Sequence, residues 1–225
     1  GPDPMAIVMW DGWHRPSVID DELYFFEEQS PDGYRLSRTD GTTVGPTVIR
    51  SIDNQSTAFQ PIARDRGSLL EYGLGRSCFA TAGSHLFFDL PNDATQRTDL
   101  WRTDGSVMDT QVVLAGTESG GTFTPCAGVA DRLLFFGTVD AIPGVRAIDT
   151  LGNPPEIVQL AVDGGRTMPA FLASGSGLVF ATTDGLYRSD GSSGGTSLIA
   201  TAPYATWLAP WGDQVLFGGD ALWAT

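Results

Sequence analysis

Asp99-Leu100-Trp101-Arg102-Thr103-Asp104-Gly105-Ser106, preceded by Leu86-Phe87-Phe88, is the stretch that decides the fold. It reads as a short strand of β-forming residue types running straight into Asp-Gly. Asp-Gly between two such runs signals a hairpin, because glycine supplies the positive φ of the turn. The stretch returns as Arg35-Leu36-Ser37-Arg38-Thr39-Asp40-Gly41-Thr42 and as Gly185-Leu186-Tyr187-Arg188-Ser189-Asp190-Gly191-Ser192. A degenerate copy reads Arg146-Ala147-Ile148-Asp149-Thr150-Leu151-Gly152-Asn153, and a short one ends the sequence, Ala221-Leu222-Trp223-Ala224-Thr225.

The surrounding segments repeat too. The Phe-Phe run recurs as Leu23-Tyr24-Phe25-Phe26, Leu133-Leu134-Phe135-Phe136, Leu178-Val179-Phe180 and Val215-Leu216-Phe217. A third segment follows the Asp-Gly positions at 46–50, 110–114, 156–160 and 196–200. A fourth precedes each Phe-Phe run at 16–19, 78–82, 126–130, 170–174 and 207–211. All are rich in β-branched and aromatic residues and bounded by Gly, Asp, Asn or Ser, which is the strand signature. Four short antiparallel strands repeated five times predict an all-β fold, a five-bladed β-propeller. Taking Phe25, Phe87, Phe135, Val179 and Leu216 as equivalent gives spacings of 62, 48, 44 and 37 residues, which suit blades. A lone blade cannot bury both faces, so neighbours must stack. The segment Ala6-Ile7-Val8-Met9-Trp10 has no inner partners of its own and is expected to close the last blade as its outer strand, removing an open edge. Residues 1–4 resemble a cloning remnant, leaving 5–225 as a single domain.

Composition excludes several classes. No apolar run approaches the roughly 18 residues of a membrane span, so no membrane insertion is expected. The 27 acidic residues outweigh 13 basic ones, all arginine, for a net charge of −14. Phosphate-backbone binding needs a basic stripe, so nucleic acid is not an expected partner. Met5-Ala6-Ile7-Val8-Met9-Trp10 runs into Asp11 with no basic n-region, so a signal peptide is not expected here. Cys78 and Cys126 show no zinc spacing and fall at matching blade positions, where disulfide geometry is unfavourable. Each Asp-Gly turn offers a single carboxylate, too few for a metal. No cofactor motif is present.

The Leu-Phe-Phe and Asp-Leu-Trp-Arg-Thr-Asp-Gly-Ser runs together resemble the ELWxxDGT repeat family of bacterial, often surface-associated proteins that look like propeller blades. The resemblance is good in the first, second and fourth copies. It implies a propeller and leans toward an extracellular or surface setting, whereas Met5 as a native start would imply the cytoplasm. It carries no activity. A likeness to five-bladed tachylectin-type lectins exists at the level of the fold alone.

Strand order predicts which face binds. The turns at Asp20-Asp21, Gly83-Ser84 and Gly212-Asp213 share one face with the Asp-Gly turns. The other connections (27–33, 52–76, 89–98, 115–124, 137–144, 161–167 and 201–206) are expected to be long and irregular, on the opposite face, where recognition concentrates. The 52–76 loop carries Arg64, Arg66, Tyr72 and Arg76 among Asp65 and Glu71. It reads either as an oxyanion-docking site or as a rim insertion pairing its own charges. Trp13, Phe123, Tyr204 and Trp207 read either as a stacking platform or as packing between blades. His14 and Arg15 lie near the same face. Five-bladed hydrolases need converging carboxylates, and the first residues of the inner strands (Pro16, Cys78, Cys126, Ala170 and Trp207) include none. The expectation is a non-catalytic, monomeric module that binds a protein or peptide over the central opening. Carbohydrate binding between blades is the alternative.

Overall fold

The computed structural model describes residues 17–19, 21–29, 33–42, 45–53, 80–92, 97–116, 123–149, 156–162, 170–174, 177–201, 205, 207–211, 214–218 and 222–224. These residues form five antiparallel sheets. Sheet 1 runs β1 (Ser17–Ile19), β2 (Glu22–Gln29), β3 (Gly33–Thr39), β4 (Thr47–Asp53). Sheet 2 runs β5 (Ala80–Ala82), β6 (His85–Asn92), β7 (Arg97–Thr103), β8 (Gln111–Leu114). Sheet 3 runs β9 (Phe123–Val129), β10 (Arg132–Val139), β11 (Ile142–Asp149), β12 (Ile157–Val162). Sheet 4 runs β13 (Ala170–Ser174), β14 (Gly177–Ala181), β15 (Leu186–Ser189), β16 (Ser197–Ala200). Sheet 5 has three described strands, β17 (Trp207–Trp211), β18 (Gln214–Gly218) and β19 (Leu222–Ala224). The expected closing strand at 6–10 lies outside the described residues.

Sheets 2, 3 and 4 each lie between two neighbours, so their strands are apolar on both faces. Along β6, Leu86 and Phe88 pack back on Tyr24, Leu36 and Ile49 of sheet 1. Phe87, between them, packs forward with Leu100 on Phe123, Leu133 and Phe135 of sheet 3. The pattern repeats. Leu134 and Val145 face forward onto Leu178 and Phe180 of sheet 4, and Val179, Ala181 and Leu186 face Val215 and Phe217 of sheet 5. The Leu-Trp pair of the repeat follows the same rule: Leu100 points forward, while Trp101 points back and stacks on Phe88 at 6.2 Å. Phe87, Phe88, Phe135 and Phe180 are fully buried, each stabilising the fold by about 1.5–3 kcal/mol.

Counting from the turn before each strand corrects the equivalence read from sequence. Phe25, Phe88, Phe135, Phe180 and Phe217 share one position. Tyr24, Phe87, Leu134, Val179 and Leu216 share the next. The degenerate third copy also moves by two residues. Trp101 pairs with Phe88 and Tyr187 with Phe180, and Phe135 pairs with Arg146. Arg146 therefore stands where the repeat has its aromatic, and Asp149 where it has the Asp of Asp-Gly.

The inner strands approach closely. The Gly83 N–H donates to the Ala130 carbonyl at 2.8 Å, tying the β5–β6 turn to the β9–β10 turn. Gly128 of β9 lies against the backbone of β5, and a Cβ there would overlap the Thr81 carbonyl.

The connections differ from expectation in two ways. Much of 27–33, 89–98 and 137–144 is strand, because β2, β6 and β10 each extend to eight residues. The β10–β11 connection is only Asp140-Ala141, with φ of 52° and 62°. Positive φ at both centres is the type I′ pattern, which glycine fits and alanine does not. Ala141→Gly is expected to stabilise the protein by about 0.5–1 kcal/mol, read as a rise in Tm of a few degrees.

Candidate functional site

The two ends of the sheets carry different connections. At one end lie the two-residue turns and the Asp-Gly loops. Each of these loops (40–46, 104–110, 150–156 and 190–196) spans seven residues. At the other end lie the short β2–β3, β6–β7, β10–β11 and β14–β15 hairpins and the crossovers between sheets: 54–79, 115–122, 163–169 and 201–206.

A shared hydrogen-bond network explains the Asp-Gly loops. The Ser106 N–H donates to Asp104 Oδ1 at 2.8 Å, and the Gly105 N–H to Thr103 Oγ1 at 3.0 Å. The Thr110 hydroxyl donates to the Ser106 carbonyl at 2.6 Å, so its oxygen must accept from Thr103, 2.7 Å away. Ser189, Asp190, Gly191, Ser192 and Thr196 repeat every one of these contacts. Thr39, Asp40, Gly41 and Thr42 repeat the first two, and Pro46 stands where the closing threonine would be. Gly105 and Gly191 are buried at φ of 90° and 86°. Tyr24 and Arg38 of sheet 1 press on Gly105, and Arg132 and Leu134 of sheet 3 on Gly191. The Asp-Gly of one sheet is thus held by the sheet before it.

Hydrogen bonding to the ionised carboxylate holds Asp104, Asp190 and Asp40 below the usual value near 3.8, chiefly through Ser106, Ser192 and Thr42 respectively. A carboxylate depressed on folding stabilises the native state above its unfolded pKa, and that contribution fades as pH falls through the folded value. Stability is therefore expected to drop below about pH 4. The triple variant Asp40→Asn, Asp104→Asn, Asp190→Asn keeps the accepting oxygen. It should show a shallower fall of Tm between about pH 4 and pH 2.

In sheet 2 the loop carries added chemistry that the sequence did not single out. Asp109 takes Arg102 Nη2 at 2.9 Å and lies 3.2 Å from His85 Nε2. Arg50 of sheet 1 donates to the Thr110 carbonyl and lies 5.3 Å over the Trp101 ring. The loop tip, Val107 and Met108, is 60% and 91% exposed. His85 reads as an ordinary turn residue in sequence, because its partner is 24 residues away and is brought back only by the hairpin.

Two of the residues expected to bind, Phe123 and Trp207, are described, and both lie at the crossover end. Phe123 is buried in the core against Phe135, 5.9 Å edge to face, so of its two readings the structure supports packing. Its N–H donates to Thr98 Oγ1 at 2.8 Å, and the Gly116 N–H donates to Asp99 Oδ1 at 2.7 Å, so the 115–122 crossover is anchored at both ends. Trp207, the first residue of β17, is 43% exposed. Trp13, His14, Arg15, Arg64, Arg66, Tyr72, Arg76 and Tyr204 lie outside the described residues, as does Cys78. Cys126 is half-buried on β9 at a bulge. Among the described residues no cluster of three or more His, Cys, Asp or Glu side chains is placed to hold a metal.

No family model and no curated protein matches the chain. Solved structures do. A prolyl endopeptidase matches with a TM-score of 0.50 at 14% identity, covering 91% of this chain and 30% of its own. TolB from Acinetobacter baumannii matches at 0.49 and 13%, covering 91% and 49%. A chain of the nidogen/laminin complex matches at 0.44 and 14%, covering 88% and 68%. The chain thus spans about half of TolB and under a third of the endopeptidase. The endopeptidase match, at a TM-score of 0.50 and 14% identity, concerns the fold alone, which is propeller-like. The chain is an all-β, propeller-like protein.

Proposed function

We propose that this chain is a non-catalytic binding module. In this reading the five sheets are five blades of one ring, and the segment 6–10 adds the outer strand beside β19. A protein or peptide segment binds at the crossover end, over the axial opening. One observation carries the proposal. The loops at the Asp-Gly end keep one length, and those of sheets 2 and 4 share a hydrogen-bond pattern that sheet 1 keeps in part, while the crossovers range from 26 residues (54–79) to six (201–206). Scaffold is repeated and recognition varies, so the variable end is the recognising end. Trp207 supplies exposed aromatic area there, and Trp13, His14, Arg15, Arg64, Arg66, Tyr72, Arg76 and Tyr204 are the proposed contacts around it. Differing crossovers also favour one composite site over identical sugar sites in each blade.

Panning a random peptide display library on the immobilised chain tests this. Enriched peptides should bind, and Trp207→Ala or Arg64→Ala with Arg66→Ala should weaken them at least tenfold. Met108→Ala, at the opposite end, should leave binding unchanged. No enrichment, or loss of binding through Met108 alone, contradicts the reading, and hits confined to a glycan array would replace it with the carbohydrate alternative.

A further inference from the structure

We propose that Asp40-Gly41 is a site of spontaneous covalent modification, where aspartate converts to isoaspartate, while the fold protects Asp104-Gly105, Asp184-Gly185 and Asp190-Gly191. The site lies at the Asp-Gly end and stands apart from the peptide-binding reading above.

The chemistry needs only water. The Gly41 backbone nitrogen gives up its proton and attacks Asp40 Cγ. The hydroxyl of the protonated carboxyl leaves as water, closing a five-membered succinimide. Water then adds to one of the two ring carbonyls. Addition at the α-carbonyl breaks its bond to the Gly41 nitrogen, so the backbone runs through Asp40 Cγ and the α-carboxylate hangs free. Asp-Gly is open to this closure because glycine has no Cβ to obstruct the ring. The nitrogen must leave its hydrogen bond to reach the carboxyl, and the loop must lengthen by one backbone carbon.

The fold separates the four pairs on both demands. Gly105 is buried under Tyr24 and Arg38, and Gly191 under Arg132 and Leu134. The hydroxyls that accept their N–H groups, Thr103 and Ser189, are braced by Thr110 and Thr196, each at 2.7 Å. In sheet 4 Gly195 also lies against the Asp190 carboxylate. Gly185 is buried, and its carbonyl accepts from the Thr182 N–H at 2.8 Å. Sheet 1 lacks these restraints. Asp40, Gly41 and Thr42 are exposed. A Cβ added at Gly41, or at Gly45 in the place of Gly195, would meet nothing within 4 Å. Pro46 stands where the bracing threonine would be and offers no hydroxyl, so the bond from the Gly41 N–H to Thr39 Oγ1, 3.1 Å, is unbraced. In the ring proposed above, the places of Tyr24 and Arg38 fall to Leu216 and Ala224, which carry neither a phenol nor a guanidinium to lay over Gly41.

Peptide mapping tests the assignment. Cleavage after arginine puts the four pairs in separate peptides, 39–50, 103–132, 167–188 and 189–225, and electron-transfer fragmentation tells isoaspartate from aspartate. The folded chain is held warm at about pH 5, where a fraction of the carboxyl is protonated. Isoaspartate is expected in 39–50 roughly tenfold faster than in the other three. In urea, with the fold gone, the four rates should converge. Pro46→Thr, which supplies the missing hydroxyl, should slow the reaction at residue 40 about fivefold, the equivalent of about 1 kcal/mol for one hydrogen bond. Thr39→Ala, which removes the acceptor of the Gly41 N–H, should speed it. Equal rates in the folded chain, or a faster rate at Asp104, Asp184 or Asp190, overturn the proposal. So does a rate at residue 40 that neither variant moves.

Discussion

Gly128→Ala is expected to destabilise the protein by about 3 kcal/mol or more, lowering Tm by roughly 10 °C for a domain of this size. The reason is steric. A Cβ at 128 would overlap the Thr81 carbonyl oxygen, and it would sit 2.7 Å from the Thr81 carbonyl carbon and 2.8 Å from Ala82 Cα. These are backbone atoms, so no side chain can swing away. Relief requires β5 and β9 to separate, which would strain the Gly83–Ala130 hydrogen bond and the packing of Ala80 and Ala82 on Phe123 and Phe135. Gly194→Ala is the control. Gly194 is exposed with nothing within 4 Å, and its substitution should stay within about 0.5 kcal/mol. Urea unfolding of both variants decides the matter. Equal midpoints would mean that the inner strands are not packed at that distance.

Arg146→Met should come next, at about 3 kcal/mol. Arg146 is 3% exposed. It donates to the Gly137 carbonyl at 2.5 Å and to the Ile142 carbonyl at 2.7 Å, with Val139 O and Gln159 Oε1 each at 3.5 Å. Its guanidinium gathers carbonyls around the β10–β11 hairpin, and burial lowers its pKa from the usual value. Methionine keeps the bulk and strips the donors, leaving those carbonyls inside without partners. Arg146→Lys should recover only part of the loss, since one ammonium cannot reproduce the planar fork. A thermal melt of Arg146→Met within a degree or two of the parent would show that water satisfies those carbonyls instead.

These residues also show how far the sequence could be read. Among the described residues the order of the strands is legible, because each segment is bounded by turn residues and repeats. The facing of individual side chains was not. Strands buried on both sides read as unbroken apolar runs, so nothing in Leu86-Phe87-Phe88 tells which residue looks back and which forward. That is why the sequence alone matches Phe87, rather than Phe88, with Phe25 and Phe135. The place of Arg146 is hidden for a related reason: nothing in Arg146-Ala147-Ile148 marks an arginine as the residue that holds the aromatic's place by hydrogen bonding. Of the expected site, Phe123 could have been assigned to the core only by seeing Phe135 beside it on the neighbouring strand and sheet 2 packed over both.

Local chemistry alone determined the repeated strands, the Asp-Gly loops and the all-β class, since each depends on residues a few positions apart. The forward and rear faces, the glycine contact at 128, the Asp109 cluster and the carbonyl-binding role of Arg146 were decided only in three dimensions. Each is a meeting between strands or sheets whose distance depends on both partners at once, and no single segment encodes the gap it will be asked to fill.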